Sequence, residues 1–351
     1  MRIVVLAGGT STERDVSISS GILVSEALRK KGHEVVLLDI YTGYEKDILD
    51  VDELFKINYS FTDKINVGES VGDTISDIEE VMENRRDKSE RFIGESVIDI
   101  CDFADITFLA LHGGAGENGQ VQAAFDLLGI KYTGSGYLGS ALAMNKGLTK
   151  SVLIQKNVLT PAGKIFKSAE DAESWDTFPC VVKPCSGGSS VGITIASNPG
   201  EFAESVREAL SYGEDEIVVE EYINGREFSV GLLGGRALPP IEIIPKEGFY
   251  DYRTKYQAGA AEDVCPADIT PEEDARLRKA AEDVYKALHL ESYARVDFIL
   301  DAEGNPYCLE ANTLPGMTPT SLLPQEAKAE GVEYADLCEK IIEISMERYK
   351  K

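Results

Sequence analysis

Three side chains with hard oxygen donors, Asp297, Glu310 and Asn312, stand with Arg295 in the stretch 293–322, YARVDFILDAEGNPYCLEANTLPGMTPTSL. Residues 295–300 alternate, with Arg295, Asp297 and Ile299 against Val296, Phe298 and Leu300. The chain then turns at DAEGNP and returns as Tyr307-Cys308-Leu309-Glu310, the pattern of a β-hairpin. Pairing Leu300 with Tyr307 sets Asp297 opposite Glu310 and Arg295 opposite Asn312, all away from the apolar face. Opposed carboxylates repel unless something positive lies between them. An oxygen-only set without Cys or His suits Mg²⁺ held by one or two carboxylates plus substrate phosphates, and does not suit zinc. Taken alone, the stretch reads equally as a solvated polar face on an edge hairpin.

Phosphate chemistry requires further groups, and the chain offers several. A strand at 178–183 ends at Lys183, and the Gly/Ser loop CSGGSSVG follows, whose backbone N–H groups and hydroxyls suit an anion. It lacks the GK[ST] ending of a Walker A loop. Asn224-Gly225 between apolar runs predicts a second hairpin, flanked by Glu220 and Glu227. Lys146 and Lys150, four apart, share a helical face that is ordinarily a solvated one. Glu13 lies in a loop after the first strand. His112 follows a strand end and reads either as a satisfied imidazole or as a substrate-facing one.

Strand, helix and strand over 3–40 form a βαβ opening to a parallel sheet, whose ligands bind at the carboxyl ends of strands. The sheet resumes at 106–111 and runs into HGGAGENGQ, where Glu117 to Gln122 could cap a helix that Gly129 ends. Between them, 44–98 is polar and acid-rich and reads as an insertion with one or two surface helices and no chemistry of its own. The tyrosine-rich stretch 249–263 reads as a lid loop. A helix over 271–288 and a closing helix from about 334 to 348 complete the chain.

At 351 residues and 43% hydrophobic content, the chain has room for two or three cored domains at ~150 residues each. With 35 Lys plus Arg against 61 Asp plus Glu, its net charge of −26 argues against a general grip on nucleic acid or anionic lipid. Any anionic ligand must therefore meet local cations. Six cysteines without a CxxC pair point to reduced, buried thiols. The opening MRIVVLAGG is too brief for a signal segment, and no run reaches the ~18 apolar residues of a membrane span, so a soluble cytoplasmic protein is expected.

In order, the segments GGTSTERDVSISSG, LHGGAGENG, YTGSGYLGSALAMNK, VVKPCSGGSSVG, VVEEYINGREF, FYDYRTKY, ARVDF and LEANTLPGMTPTSL resemble those of the D-alanine–D-alanine ligase family of the ATP-grasp superfamily. The resemblance spans nearly the whole chain outside the insertion. It implies an α/β fold: a Rossmann-like parallel-sheet domain over 1–134 with the insertion at 44–98, and a two-part ATP-grasp domain over 135–220 and 221–351. It implies ATP-dependent ligation of two D-alanines through an acyl phosphate for peptidoglycan synthesis, with D-serine, D-lactate or another carboxylate–amine pair as alternatives. Lys146 and Lys183 would meet the nucleotide, Glu220 and the Glu221 and Ile223 backbone adenine, Glu227 the ribose, and Lys255 the γ-phosphate. Asp297, Glu310 and Asn312 would hold two Mg²⁺ or Mn²⁺ ions. Glu13 would bind the first D-alanine's ammonium, and Arg295 and the Gly316 N–H would receive the oxyanion. Ser189, Tyr256, Ser321 and Leu322 would surround the second substrate, with His112 also at the substrate site. A homodimer formed through the first domain is a further expectation from the family. The sequence departs from the family pattern at Asn145, Asp126, Glu221 and Pro319-Thr320, the first two being read as structural.

Overall fold

A computed structural model describes residues 1–44, 50–64, 77–187, 192–212, 216–245 and 261–350. Three sheets organise the chain. In the first, β1 (Arg2–Ala7) lies between β2 (Glu34–Asp39) and β3 (Ile106–Leu109), all parallel. Their apolar runs are continuous rather than alternating because both faces are covered: Ile3 to Ala7 and Val35 to Leu38 are all buried. One cover is the helix Arg14–Lys30, and the closing helix Tyr334–Glu347 packs against that helix in turn.

The turn after β1 delivers Glu13. Gly8 and Gly9 take φ of 75° and 88°, a region that favours glycine, and a side chain on Gly8 would collide with the Asp39 carboxyl. That buried carboxyl accepts from Tyr41 N–H at 2.8 Å and pairs with Arg14, which also donates to Gly9 O at 2.7 Å. Loop and helix start are thereby locked together, with Glu13 at the helix N-cap.

The second sheet is antiparallel, in order β4-β7-β5-β6, from β4 (Gly163–Phe166), β5 (Cys180–Pro184), β6 (Thr194–Ala196) and β7 (Ile217–Glu221). The third comprises β8 (Arg226–Leu233), β9 (Arg236–Ala237), β10 (Ile241–Pro245), β11 (Ala261–Val264), β12 (Tyr293–Leu300) and β13 (Pro306–Asn312). Its order is β11-β10-β8-β12-β13, with β9 beside β8. Helix Pro271–Ala287 covers it, opened by a capping box between Thr270 and Glu273.

Two sequence expectations change here. Asn224-Gly225 does not turn a hairpin, since β7 pairs with β4 and β5 while β8 pairs with β10 and β12. The segment 222–225 crosses from one sheet to the other, and local turn preference yields to the stronger pairing partners each strand finds elsewhere. Gly225 is needed for close approach, because a side chain there would strike the Leu300 carbonyl. Nor is 44–98 wholly a surface insertion. Phe55 and Arg85 are fully buried, Leu37 bridges to Ser60, and the Arg85 guanidinium lies 4.5 Å over the Tyr41 ring. Residues 45–49 and 65–76 lie outside the described part, as does 246–260, most of the expected lid; 261–263 belong to β11.

Among the described residues no helix is long and apolar enough to cross a membrane, and all six cysteines are free, five of them buried. Gly225→Ala is expected to lower folding stability by about 1–3 kcal/mol through overpacking at the crossover. The check is the urea midpoint, and an unshifted midpoint would show that the crossover has room for a side chain.

Candidate active site

Between the second and third sheets lies a cleft of about 350 Å³. Asn145 caps the helix Lys146–Gln155, its side chain accepting from Leu148 N–H at 2.8 Å, and this sets Lys146 and Lys150 on one face. That face is buried, contrary to the solvated reading. Lys150 lies 2.6 Å from Glu220 Oε1 and donates to Thr160 Oγ1 at 3.0 Å, while Lys183 pairs with Glu220 Oε2. Glu220 is only 3% exposed. Burial pushes its carboxyl up, but the Lys183 and Lys150 charges outweigh burial and hold it below the ordinary value. Two ammonium groups about one carboxylate leave excess positive charge out of water, which an anionic ligand would offset. Lys146 adds a third cation, donating to Gly187 O at 2.8 Å and lying 3.4 Å from Glu310 Oε2.

The ribbon β12–β13 forms the opposite wall. Arg295 pairs with Asn312 and Asp297 with Glu310, as the alternation predicts, but Phe298 pairs with Cys308 and Leu300 with Pro306. A β-bulge at Leu309 accounts for the one-residue shift. Because of it, Cys308 packs in the core while Leu309 and Glu310 both line the cleft, which strict alternation forbids. Asp297 receives four hydrogen bonds: Arg295 Nε and a terminal nitrogen at 2.9 Å each, Ser229 Oγ at 2.8 Å and Asn312 Nδ2 at 3.1 Å. The fork-on-carboxylate geometry fixes Arg295 in the plane of the site. Among the described residues no three His, Cys, Asp or Glu side chains gather as for a metal. Two carboxylates and an amide are what the ribbon itself offers, a set that fits a hard cation completing its shell with phosphate oxygens and water.

Glu221, Ile223, Glu227, Ile243 and Ile299 also line the cleft. Glu221 turns its side chain to Ala162 N–H at 3.0 Å, so its charge is directed at backbone. Asp126 accepts from Tyr132 O–H at 2.9 Å, a structural bond. At the carboxyl end of the first sheet, Glu13 approaches Gly113 so closely that an added Cβ would sit 2.6 Å from its Oε2. His112 is buried with both ring nitrogens engaged, by Leu314 O at 2.9 Å and Ser20 Oγ at 3.1 Å. Both ring nitrogens of His112 thus meet protein partners, one of them at the segment that carries Gly316. Glu117 accepts from Gly113 N–H at 3.0 Å and Leu314 N–H at 3.2 Å; burial, aided by the Glu13 charge, pushes its pKa up to about 7. Ser321 Oγ accepts from Thr318 N–H at 3.1 Å and would sit 2.9 Å from a Cβ on Gly316, so a side chain there would push the Ser321 hydroxyl aside. Leu322 packs with Ile241 and Ile243. Ser189, Lys255 and Tyr256 lie outside the described residues.

Residues 2–135 match the family model described as D-ala D-ala ligase N-terminus, and 150–343 the model described as D-ala D-ala ligase C-terminus. The chain belongs to the D-alanine–D-alanine ligase family. A D-alanine–D-alanine ligase of Pediococcus pentosaceus is 44% identical over 97% of both chains, and one of Lacticaseibacillus casei is 42% identical over 99% of this chain and 97% of its own. The ATP complex of the Bacillus anthracis ligase superposes with a TM-score of 0.73 at 31% identity, covering 100% of this chain and 98% of that one. The VanG D-Ala:D-Ser ligase of Enterococcus faecalis gives 0.74 at 30% identity, covering 98% and 99%. Similarity of this extent fixes an ATP-grasp fold for the family member described here.

Lys150, Ser229, Ser20 and Glu117 belong to the site's framework; the sequence alone puts Lys150 on a solvated face and Glu117 at a helix cap, and passes over Ser229 and Ser20. The signal that could have found Lys150 is its four-residue spacing from Lys146. Glu220→Gln is expected to lose ~3–5 kcal/mol of stability at neutral pH, because it leaves two buried ammonium groups without their anion. A depressed carboxyl contributes stability above its unfolded pKa of ~4.3 and loses it as pH falls through the folded value. The gap between wild type and variant should therefore close in acid, and urea titrations showing a constant gap down to pH ~3 would remove the ion-pair account.

Proposed function

We propose that the protein joins two D-alanines to D-alanyl-D-alanine, with ATP cleaved to ADP and phosphate, as a cytoplasmic step of peptidoglycan precursor synthesis. The observation that carries this reading is a cleft lined by Lys183 and Glu220 on one side, with Lys150 paired behind them, and by Asp297 and Glu310 on the other, with Arg295 bound to Asp297, in a chain similar to such ligases over nearly its full length.

A carboxylate is a poor electrophile. Phosphorylated by ATP it becomes a mixed anhydride that an amine opens, and the protein's tasks are positioning and charge neutralisation. Lys146 and Lys183 meet phosphate oxygens, Glu220 with the Glu221 and Ile223 backbone holds adenine, and Glu227 holds the ribose. Asp297, Glu310 and Asn312 are the residues that would hold Mg²⁺ or Mn²⁺, ions that neutralise phosphate charge when bound. Glu13 binds the first D-alanine's ammonium. Arg295 and the Gly316 N–H receive the oxyanion, a role supported by Arg295 being held rigidly by Asp297. Ser321 and Leu322 border the second D-alanine. Lys255, Ser189 and Tyr256 complete the reading, Lys255 at the γ-phosphate and Ser189 and Tyr256 closing the site to water. The unit is a homodimer joined through the first domain, where Leu127 and Leu128 on the helix Gln120–Leu128 are exposed; a solution mass from light scattering tests that.

Incubation with ATP, Mg²⁺ and D-alanine should release phosphate and yield the dipeptide by mass spectrometry. Phosphate release that requires added D-serine or D-lactate would reassign the second substrate. Arg295→Met is expected to lower kcat by about 10²–10³ or more while sparing ATP binding. Normal turnover in that variant would refute the oxyanion role.

A further inference from the structure

The segment 313–317 joins β13 to the helix Leu322–Ala329 and belongs to neither strand nor helix, so no ladder fixes its peptide planes. The first domain holds it instead, from both sides of Gly316. Leu314 N–H donates to Glu117 at 3.2 Å and Leu314 O faces His112 Nδ1 at 2.9 Å. Met317 N–H donates to Ser20 Oγ at 3.3 Å, and that oxygen lies 3.1 Å from His112 Nε2.

One proton assignment satisfies every member. A carbonyl only accepts, so His112 Nδ1 carries the ring proton. The imidazole is kept neutral chiefly by burial, with Arg295 adding to that effect and Glu13 and Leu314 O opposing it. Nε2 is then an acceptor, Ser20 O–H donates to it, and a Ser20 lone pair remains for Met317 N–H. Ser20 is 0% exposed, so no water substitutes for either bond. Its helix, Arg14–Lys30, is the one whose N-cap is Glu13.

We infer that Ser20 is a positioning residue for the ligation: through Met317 N–H and His112 it fixes the direction of the Gly316 N–H, and so makes oxyanion stabilisation depend on docking of the first domain. This inference rests on the reading of Gly316 as an oxyanion donor. Among the described residues the Gly316 N–H has no acceptor, while the peptide groups of Leu314 and Met317 are tied down.

The test uses the full chain. Ser20→Ala keeps the shape and deletes both bonds; kcat for dipeptide formation should fall about 10- to 100-fold, as a donor displaced by ~1 Å implies, with KM for ATP within about twofold. Urea unfolding of the same preparation separates this from a loss of fold. A folded Ser20→Ala enzyme with wild-type kcat overturns the inference, as does a kcat loss matched by an equal rise in KM for ATP. Should the variant not fold, ¹⁵N NMR of the wild-type ring decides. With three histidines in the chain the signals are assignable, and His112 should show Nδ1–H with an unprotonated Nε2. The opposite tautomer overturns the inference. Arg295→Met is run beside it: normal turnover there defeats the oxyanion reading itself, whereas loss there with Ser20→Ala unaffected defeats only the role of Ser20.

Discussion

Burying like charges next to one another is tolerable only when geometry supplies the opposite charge at hydrogen-bond distance, and the cleft is built around that constraint. Lys150 and Lys183 share Glu220, while Asp297 is enclosed by Arg295, Ser229 and Asn312. Removing one member of either group strands the others in a low dielectric. Lys183 and Glu220 come from the second sheet and Asp297 from the third, so the cleft lies where these sheets meet. The crossover at 222–225 brings them together, and the absence of a side chain at Gly225 lets the backbone pass beside Leu300.

Much of this was legible in the sequence, and the parts that were not share a physical reason. Parallel strands buried on both faces read as unbroken apolar runs, and β1, β2 and β3 lie where those runs are. The acidic ribbon's register followed from alternation as far as Asp297 and Glu310. It failed at the bulge, since one unpaired residue changes no composition; the trace it leaves is that buried Cys308 and Ala311 are three apart instead of two. Asn224-Gly225 misled because turn chemistry is local and strand pairing is not. Ser20, His112 and Leu314 are brought together from positions 92 and 202 residues apart, beyond the reach of any motif.

The bonds linking Ser20, His112 and Glu117 to 313–317 change how the site is to be understood. The cleft between the second and third sheets carries the cations and the ribbon, yet Gly316 is oriented by residues 20, 112 and 117 of the other end of the chain. A ligase site so divided is complete only when both ends are docked. Stabilising either end alone would not restore it, because the bonds in question lie between them.

The closing helix Tyr334–Glu347 contributes Leu337, Cys338, Ile341 and Ile342 to the same apolar cluster as Val24 and Leu28 of the first long helix. That cluster lacks one of its walls until residues 334–347 have been made, more than 300 residues after the first strand. Such a topology places its longest-range contacts at the end of folding. A nascent chain halted before residue 334 would display an apolar face to whatever chaperone is nearby, which makes the helix Tyr334–Glu347 a checkpoint on the first long helix.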